Sequence, residues 1–110
     1  MAQIIVIAFS AGVGEELLFR GWLQTSLAGP PSASSLTNIT TLGAILVGAI
    51  AFGLAHYISP AYFFFATLFG VYLGVLYCWS ESLWVPIVAH GLYDLVAILW
   101  LLHEDRSQDR

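Results

Sequence analysis

Lysine is absent from this 110-residue sequence, and charge of either sign is scarce. Three residues are basic, all of them arginine, against seven Asp and Glu, and charged residues make up 9% of the chain. The formal net charge of −4 leaves no basic patch for a nucleic-acid backbone, so nucleic acid is not an expected partner. The single cysteine, Cys78, excludes an internal disulfide.

Most of the sequence is apolar. Hydrophobic residues make up 59% of the chain and the mean hydropathy is +0.85, outside the range of soluble domains. Four apolar segments, 4–27, 39–58, 61–79 and 83–102, are each about as long as a membrane-spanning helix. The sequence therefore predicts an all-α polytopic bundle of four transmembrane helices.

The connections between these segments support that division. Residues 28–38 hold a cluster of Gly, Pro and Ser, with Thr37 or Asn38 as N-cap of the second helix. Ser59 and Pro60 form a short second connection, which predicts an antiparallel hairpin of helices two and three. Aromatic residues near the segment ends predict interfacial belts, with Tyr57, Tyr62 and Trp100 on one side of the membrane and Trp22, Trp79 and Trp84 on the other.

The domain organisation is simple. Residues 1–103 are expected to form one membrane core and residues 104–110 a polar tail outside the membrane. Arg106 and Arg110 follow the last segment, which under the positive-inside rule predicts a cytoplasmic C-terminus. Four crossings place the N-terminus on the same side, in a protein of the cell membrane. Within the core, Ala44, Gly48, Gly70 and Gly74 are spaced as helix-contact positions, and segment three is expected mainly to pack.

Three charged residues interrupt the first apolar segment. A charge near the bilayer centre costs roughly 2.5–3.5 kcal/mol, so such residues usually face a protein interior or a wet cavity. Glu16 and Arg20 are four residues apart in the order that favours a helical ion pair. Glu15 points about 100° away and has no local partner, which suggests a general base. The alternative is a buried polar patch that holds helices together.

Further polar residues lie at comparable depths in the second and fourth segments. Helical rise places His56, His90 and Asp94 within reach of Glu15 once tilt and side-chain length are allowed for, so we expect one shared cavity. Taken singly, His56 reads equally well as an interfacial residue, and His90 with Asp94 as a pair that bridges helices. Phe52, one turn before His56, reads as packing that also shields this histidine.

Three ordered motifs carry a resemblance to a known family. The stretches Glu15-Glu-Leu-Leu-Phe-Arg20, Phe52-Gly-Leu-Ala-His56 and His90-Gly-Leu-Tyr-Asp94 resemble the Glu-Glu-x-x-x-Arg, Phe-x-x-x-His and His-x-x-x-Asn/Asp motifs of the CPBP family. This is the CAAX protease and bacteriocin-processing (Abi) family of intramembrane proteases. The resemblance covers Gly12 to Leu95, and it is the succession of all three motifs that makes it specific.

The resemblance implies an intramembrane endopeptidase. Glu15 and His56 would activate a water, His90 and Asp94 would bind the oxyanion, and Glu16 and Arg20 would support the site. Position 94 is Asp where many relatives have Asn, and an ionised Asp cannot donate to an oxyanion. The substrate would be a prenylated CaaX protein, a bacteriocin precursor or another membrane-bound peptide. Relatives usually carry more upstream helices, so the sequence would be a truncated catalytic core, a fragment, or a subunit that a partner completes.

Three alternatives stay open. Glu15, His56 and His90 are also a ligand set for zinc or another divalent metal, although the pair of histidines four apart on one helix that zinc metalloproteases use is absent from the sequence. A non-catalytic immunity or scaffolding protein of the same family could bind a peptide in the same cavity. A proton or ion pathway could use the four polar residues as relays.

Overall fold

The protein is a bundle of four long helices in a computed structural model that describes residues 1–109. Helix α1 covers Ala2–Ala28, α2 Ile39–Ala55, α3 Pro60–Ser80 and α4 Trp84–Gln108, and a short 3₁₀ helix, Ala33–Thr37, lies in the first connection. Within α1 the segment Leu17–Gln24 is π-helical. No strand occurs in this part of the chain. The predicted all-α fold is confirmed.

Three of the four helices are long and apolar enough to cross a membrane, namely α1, α3 and α4. Helix α2 is apolar but has 17 residues, shorter than the predicted segment 39–58. It stops at Ala55, and His56 is its C-cap with φ −109° and ψ 23°. Pro60, four residues after His56, lacks a backbone N–H and is the first residue of α3, so the same helix does not continue through it. The chain is an integral membrane protein.

Local hydrogen bonds fix the helix starts. The Asn38 side chain accepts from the Thr40 amide at 2.8 Å, so Asn38 is the N-cap of α2. Ser59 Oγ accepts from the Tyr62 amide at 3.1 Å and Pro60 opens α3, as the sequence predicts. Helix α3 ends at Ser80, and its C-cap Glu81 is in the left-handed conformation with φ 56°.

The last helix continues into the polar tail. Helix α4 runs to Gln108, so the tail predicted to begin at residue 104 is helical over most of its length. No proline or glycine interrupts residues 92–108, which explains why the helix is not broken at the end of the apolar segment. Arg106 is exposed in the last turn, whereas Arg110 lies outside the described residues.

Small residues set the distances between helices. Helices α2 and α3 pack against each other, and a Cβ added to Gly70 would lie 3.0 Å from the Ala49 backbone. Helices α1 and α4 approach as closely: a Cβ on Gly12 would lie 3.2 Å from the Gly91 nitrogen. Because Gly12 is one turn before Glu16 and Gly91 follows His90, this second contact brings the two motifs together.

Candidate active site

The ion pair predicted in the first segment is present and fully buried. Arg20 Nη1 lies 3.0 Å from Glu16 Oε1, and the two side chains are 1% and 0% exposed. The other arm of the guanidinium, Nη2, donates to the Gly70 carbonyl oxygen on α3 at 2.5 Å. Arg20 therefore joins α1 to α3 as well as neutralising Glu16.

His90 is surrounded by carboxylates. Its Nδ1 lies 2.8 Å from Glu16 Oε1, the same oxygen that accepts from Arg20. On the other side of the ring, Nε2 lies 3.1 Å from Glu15 Oε2 and 3.6 Å from Asp94 Oδ2. A carboxylate only accepts, so the contact with Glu16 requires a proton on Nδ1. Glu16 thus fixes the orientation of this imidazole.

His56 holds Glu15 from the opposite side. Its Nδ1 lies 2.8 Å from the Phe52 carbonyl oxygen, which can only accept, so Nδ1 carries a proton. Its Nε2 lies 3.2 Å from Glu15 Oε1. That second contact is a hydrogen bond only when a proton lies between the two atoms, so Glu15 and His56 share one.

The second oxygen of Glu15 is the unpaired acceptor of the site. Glu15 Oε2 is buried and has no hydrogen-bond partner within residues 1–109, because the 3.1 Å approach of His90 Nε2 lacks hydrogen-bond geometry. The Glu15 side chain as a whole is 30% exposed. The carboxylate is therefore hydrogen-bonded at one oxygen, and its other oxygen is buried beside His90 with a free lone pair.

A cavity of about 210 Å³ connects these groups. The four predicted catalytic residues line it together with aromatic and small side chains, namely Phe52, Tyr62, Phe65, Ala66, Phe69 and Tyr93. Four of these come from α3, so this helix packs through Gly70 and Gly74 as expected and also forms a wall of the cavity, which the sequence analysis did not anticipate. Their positions, 62, 65, 66 and 69, follow helical spacing along one face, a signal that could have been read from the sequence.

Aromatic rings enclose the histidines. The Phe52 ring is 4.3 Å from the His56 ring and 5.6 Å from the His90 ring, measured between centroids. Phe69 approaches His90 edge-on at 5.6 Å and contacts Tyr93 at 4.4 Å. Phe52 therefore does more than shield His56, since its ring contacts both histidines.

A second, apolar groove adjoins the cavity. It measures about 640 Å³ and lies between the first half of α1 and the second half of α4. Its walls include Ile7, Ala8, Ala11, Val96, Ala97, Ile98, Trp100 and Leu101, and it shares Tyr62, Tyr93 and Asp94 with the polar cavity. An apolar chain lying in this groove would reach Asp94.

The donor set is chemically suited to a metal ion. Both histidines have Nδ1 bonded to an oxygen acceptor, the outer-shell arrangement that presents Nε2 to a metal, and both Nε2 atoms approach Glu15. Within residues 1–109, however, no group of three or more ligating side chains is arranged to hold an ion as it stands, and Glu15 Oε1 bonds His56 directly. Zinc would be held by Glu15, His56 and His90 after this bond opens.

The structure brings together every residue that the sequence singled out for the site. Glu15, His56, His90, Asp94 and Phe52 line one cavity, and Glu16 and Arg20 lie directly behind them. The sequence did not single out Tyr93 or Gln24. Gln24 is buried and donates to the Gly74 carbonyl and to Cys78 Sγ, each at 3.4 Å.

A glutamate and two histidines surround one cavity within a bundle of apolar helices. The protein is therefore of the class of membrane proteins that have a polar site among their helices. A family model described as "Type II CAAX prenyl endopeptidase Rce1-like" matches residues 1–96. The chain belongs to this family, which supports a protease at the level of the family.

One curated relative gives a more distant comparison. The chain is 27% identical over 111 residues to "Uncharacterized protein YpbD" of Bacillus subtilis (strain 168). The alignment covers 98% of this chain and 50% of the relative, so the chain spans about half the length of that protein. No solved structure matches the chain significantly.

Proposed function

We propose that this protein is an intramembrane endopeptidase that hydrolyses peptide bonds of membrane-associated substrates. The observation that carries the proposal is the Glu15 carboxylate, with Oε1 bonded to His56 and Oε2 buried without a hydrogen-bond partner among residues 1–109. A general base must present a free lone pair within reach of the proton that it removes. Membership of the family supports the same reaction class.

In the proposed first step, Glu15 Oε2 accepts a proton from water. The hydroxide that forms attacks the carbonyl carbon of the scissile peptide. His56, with Nδ1–H fixed on the Phe52 carbonyl, donates from Nε2 to Glu15 Oε1 and keeps the carboxylate oriented. The proton taken from water then passes to the leaving amine, so that the products are a carboxylic acid and an amine.

The developing oxyanion is assigned to His90 and Asp94. Glu16 bonds His90 at Nδ1 and fixes the orientation of the ring. The fixed ring would direct a proton on Nε2 toward the oxyanion. Asp94 Oδ2 is 3.6 Å from His90 Nε2, beyond ordinary hydrogen-bond distance, so the structure favours a role toward substrate over a role in orienting His90. A carboxyl donates only when it is protonated, so this role requires Asp94 to be neutral.

A metal-assisted version uses the same residues. Glu15, His56 and His90 would hold zinc, which would lower the pKa of a bound water and polarise a carbonyl. The residues behind them would act as before: Glu16 and the Phe52 carbonyl fix the two Nδ1 atoms, and the aromatic rings exclude bulk water.

The substrate is proposed to be a membrane-bound peptide or protein of the CAAX type. The apolar groove between α1 and α4 meets the polar cavity at Asp94, which supports a substrate that combines an apolar portion with a peptide bond. We place the protein in the cell membrane with both termini in the cytoplasm.

The test is turnover by the purified protein in detergent and in liposomes. A farnesylated CaaX peptide and its unprenylated form serve as probes, and mass spectrometry detects the released tripeptide. Cleavage by the wild type and its loss in Glu15→Gln support the proposal. Peptide binding without cleavage would instead make the protein a scaffold, and proton flux without cleavage would make it a pathway.

Metal dependence is measured on the same preparation. Elemental analysis gives the metal content per chain, and cleavage is assayed with and without a chelator. Cleavage that a chelator removes and zinc restores assigns the metal-assisted version. Cleavage that persists at full rate in metal-free protein assigns water activation to Glu15 and His56 alone.

A further inference from the structure

The π-helical segment Leu17–Gln24 begins directly after the two glutamates. In a π-helix each amide donates to the carbonyl five residues earlier, and such turns are rare and concentrated at functional sites. Arg20 lies in this segment and reaches both Glu16 Oε1 and the Gly70 carbonyl. Glu16 and Arg20 are four residues apart and would also be neighbours in an α-helix, but a return to α-helical spacing would rotate Arg20 about the axis relative to the Gly70 carbonyl on α3.

A chain of hydroxyl groups ends on the same segment. The Thr25 amide donates to the Arg20 carbonyl oxygen, and Thr25 Oγ1 lies 2.8 Å from that oxygen. The carbonyl can only accept, so the Thr25 hydroxyl proton points to it. Thr25 Oγ1 is also 2.9 Å from the Tyr77 hydroxyl, which must therefore be the donor in that contact. The chain runs in one direction, from Tyr77 through Thr25 to Arg20.

Both ends of Arg20 are thus attached to one face of α3. Tyr77 holds its main-chain carbonyl through Thr25, and the Gly70 carbonyl accepts from its guanidinium. Residues 70 and 77 are two helical turns apart and share a face. From Arg20 the contacts continue through Glu16 to His90 Nδ1. The hydroxyl chain lies outside the cavity but is connected to the imidazole inside it.

We propose that Thr25 and Tyr77 are positioning residues of the site: their hydroxyls hold the π-helical register in which Arg20 bridges Glu16 and the Gly70 carbonyl and, through Glu16, orients His90. As a proposal about catalysis it rests on the proposed function. The proposed orientation of His90 does not depend on the proposed function, and the first test measures that orientation alone.

The first test is the NMR signal of the His90 Nδ1–H group in protein with ¹⁵N-labelled histidine. The chain has three histidines, and His56→Gln and His103→Gln variants assign the other two signals. Thr25→Val and Tyr77→Phe should each shift or broaden the His90 Nδ1–H signal while the exposed His103 is unchanged. Thr25→Ser keeps the hydroxyl and should restore the wild-type signal. Tyr57→Phe is the matched control, because Tyr57 is an exposed tyrosine that takes no part in the contacts from Tyr77 through Thr25 to Arg20.

The double variant distinguishes one connected hydrogen-bond chain from two independent packing effects of the two substitutions. Loss of either hydroxyl breaks the same chain, so Thr25→Val/Tyr77→Phe should change the His90 signal no more than the larger single variant does. Additive shifts, or a shift as large in Tyr57→Phe, would overturn the proposal. Should Thr25→Val not fold, Tyr77→Phe removes one oxygen only, and an unchanged His90 signal in that variant would overturn it as well.

The second test uses cleavage of the farnesylated CaaX peptide. Outer-shell contacts of this kind are typically worth about tenfold or more in activity, so each single variant should lower kcat about tenfold. KM should stay unchanged, because neither residue lines the cavity. A wild type without cleavage but with the expected NMR shifts would contradict the proposed function and leave the positioning role supported. A folded Tyr77→Phe with wild-type kcat would contradict the catalytic part.

Discussion

Glu16 and His90 are 74 residues apart in the sequence and 2.8 Å apart in the structure, with Glu16 Oε1 against His90 Nδ1. The same oxygen accepts from Arg20 Nη1, so one carboxylate bonds both the arginine and an imidazole of the candidate site. The sequence assigned Glu16 to Arg20 alone. The second contact explains why two glutamates stand side by side: Glu16 orients His90 from behind and Glu15 faces the cavity.

Glu15→Gln is expected to abolish cleavage and leave the protein folded. The amide keeps the size of the side chain but removes the proton acceptor, and a general base typically contributes 10²–10⁴-fold, so the rate should fall by about that factor. Peptide cleavage and thermal unfolding in detergent are measured together. Glu104→Gln, an exposed acid in the last turns of α4, is the matched control. Wild-type activity in Glu15→Gln would refute the assignment of the base.

Arg20→Ala is expected to damage stability before it affects chemistry. It leaves Glu16 as a fully buried charge, and removing one partner of a buried pair costs roughly 3–5 kcal/mol. It also frees the Gly70 carbonyl. The loss should appear as a lower unfolding temperature, whereas exposed Arg106→Ala should change it little. Equal unfolding temperatures for the two variants would show that the buried pair contributes nothing.

Asp94→Asn is expected to keep cleavage and extend it to higher pH. Asp94 can donate to an oxyanion only while it is protonated, so its contribution is present at low pH and lost as the pH rises; an amide donates at every pH. The measurement is a pH–rate profile of both proteins. A loss of rate at every pH, by the roughly 1.5–3 kcal/mol of one charge-assisted hydrogen bond, would mean that an ionised Asp94 orients His90 or binds a metal instead.

Gly12→Leu is expected to separate α1 from α4 and to disrupt the site. A Cβ at Gly12 would already lie 3.2 Å from the Gly91 backbone, which cannot rotate away, and overpacking of this kind costs about 1–3 kcal/mol. Gly14 is the control on the same helix, because a Cβ there meets no atom within 4 Å. The unfolding temperature should fall in Gly12→Leu and not in Gly14→Leu. Equal effects would show that the helix crossing is not limited by Gly12.

The sequence by itself determined the class of fold and the residues of the site. Apolar segments of spanning length admit only helices in a membrane, because every backbone polar group must be paired within the segment. Charges are so costly there that Glu15, Glu16 and Arg20 had to be explained by an ion pair and a polar cavity. Spacing within one helix was sufficient to pair Glu16 with Arg20, since residues four apart share a face.

Only the tertiary structure decided how the helices use these residues. Helical rise gives depth but not rotation between separate helices, so the contact between Glu16 and His90 and the role of α3 as a cavity wall could not be read from spacing. The π-helical turn depends on Thr25 and Tyr77, which are 52 residues apart. Helix α2 ends at Ala55 and not at residue 58, so His56 caps its helix and turns its ring to Glu15. These features come from contacts across the bundle, where one close approach, Gly12 against Gly91, fixes which side chains meet.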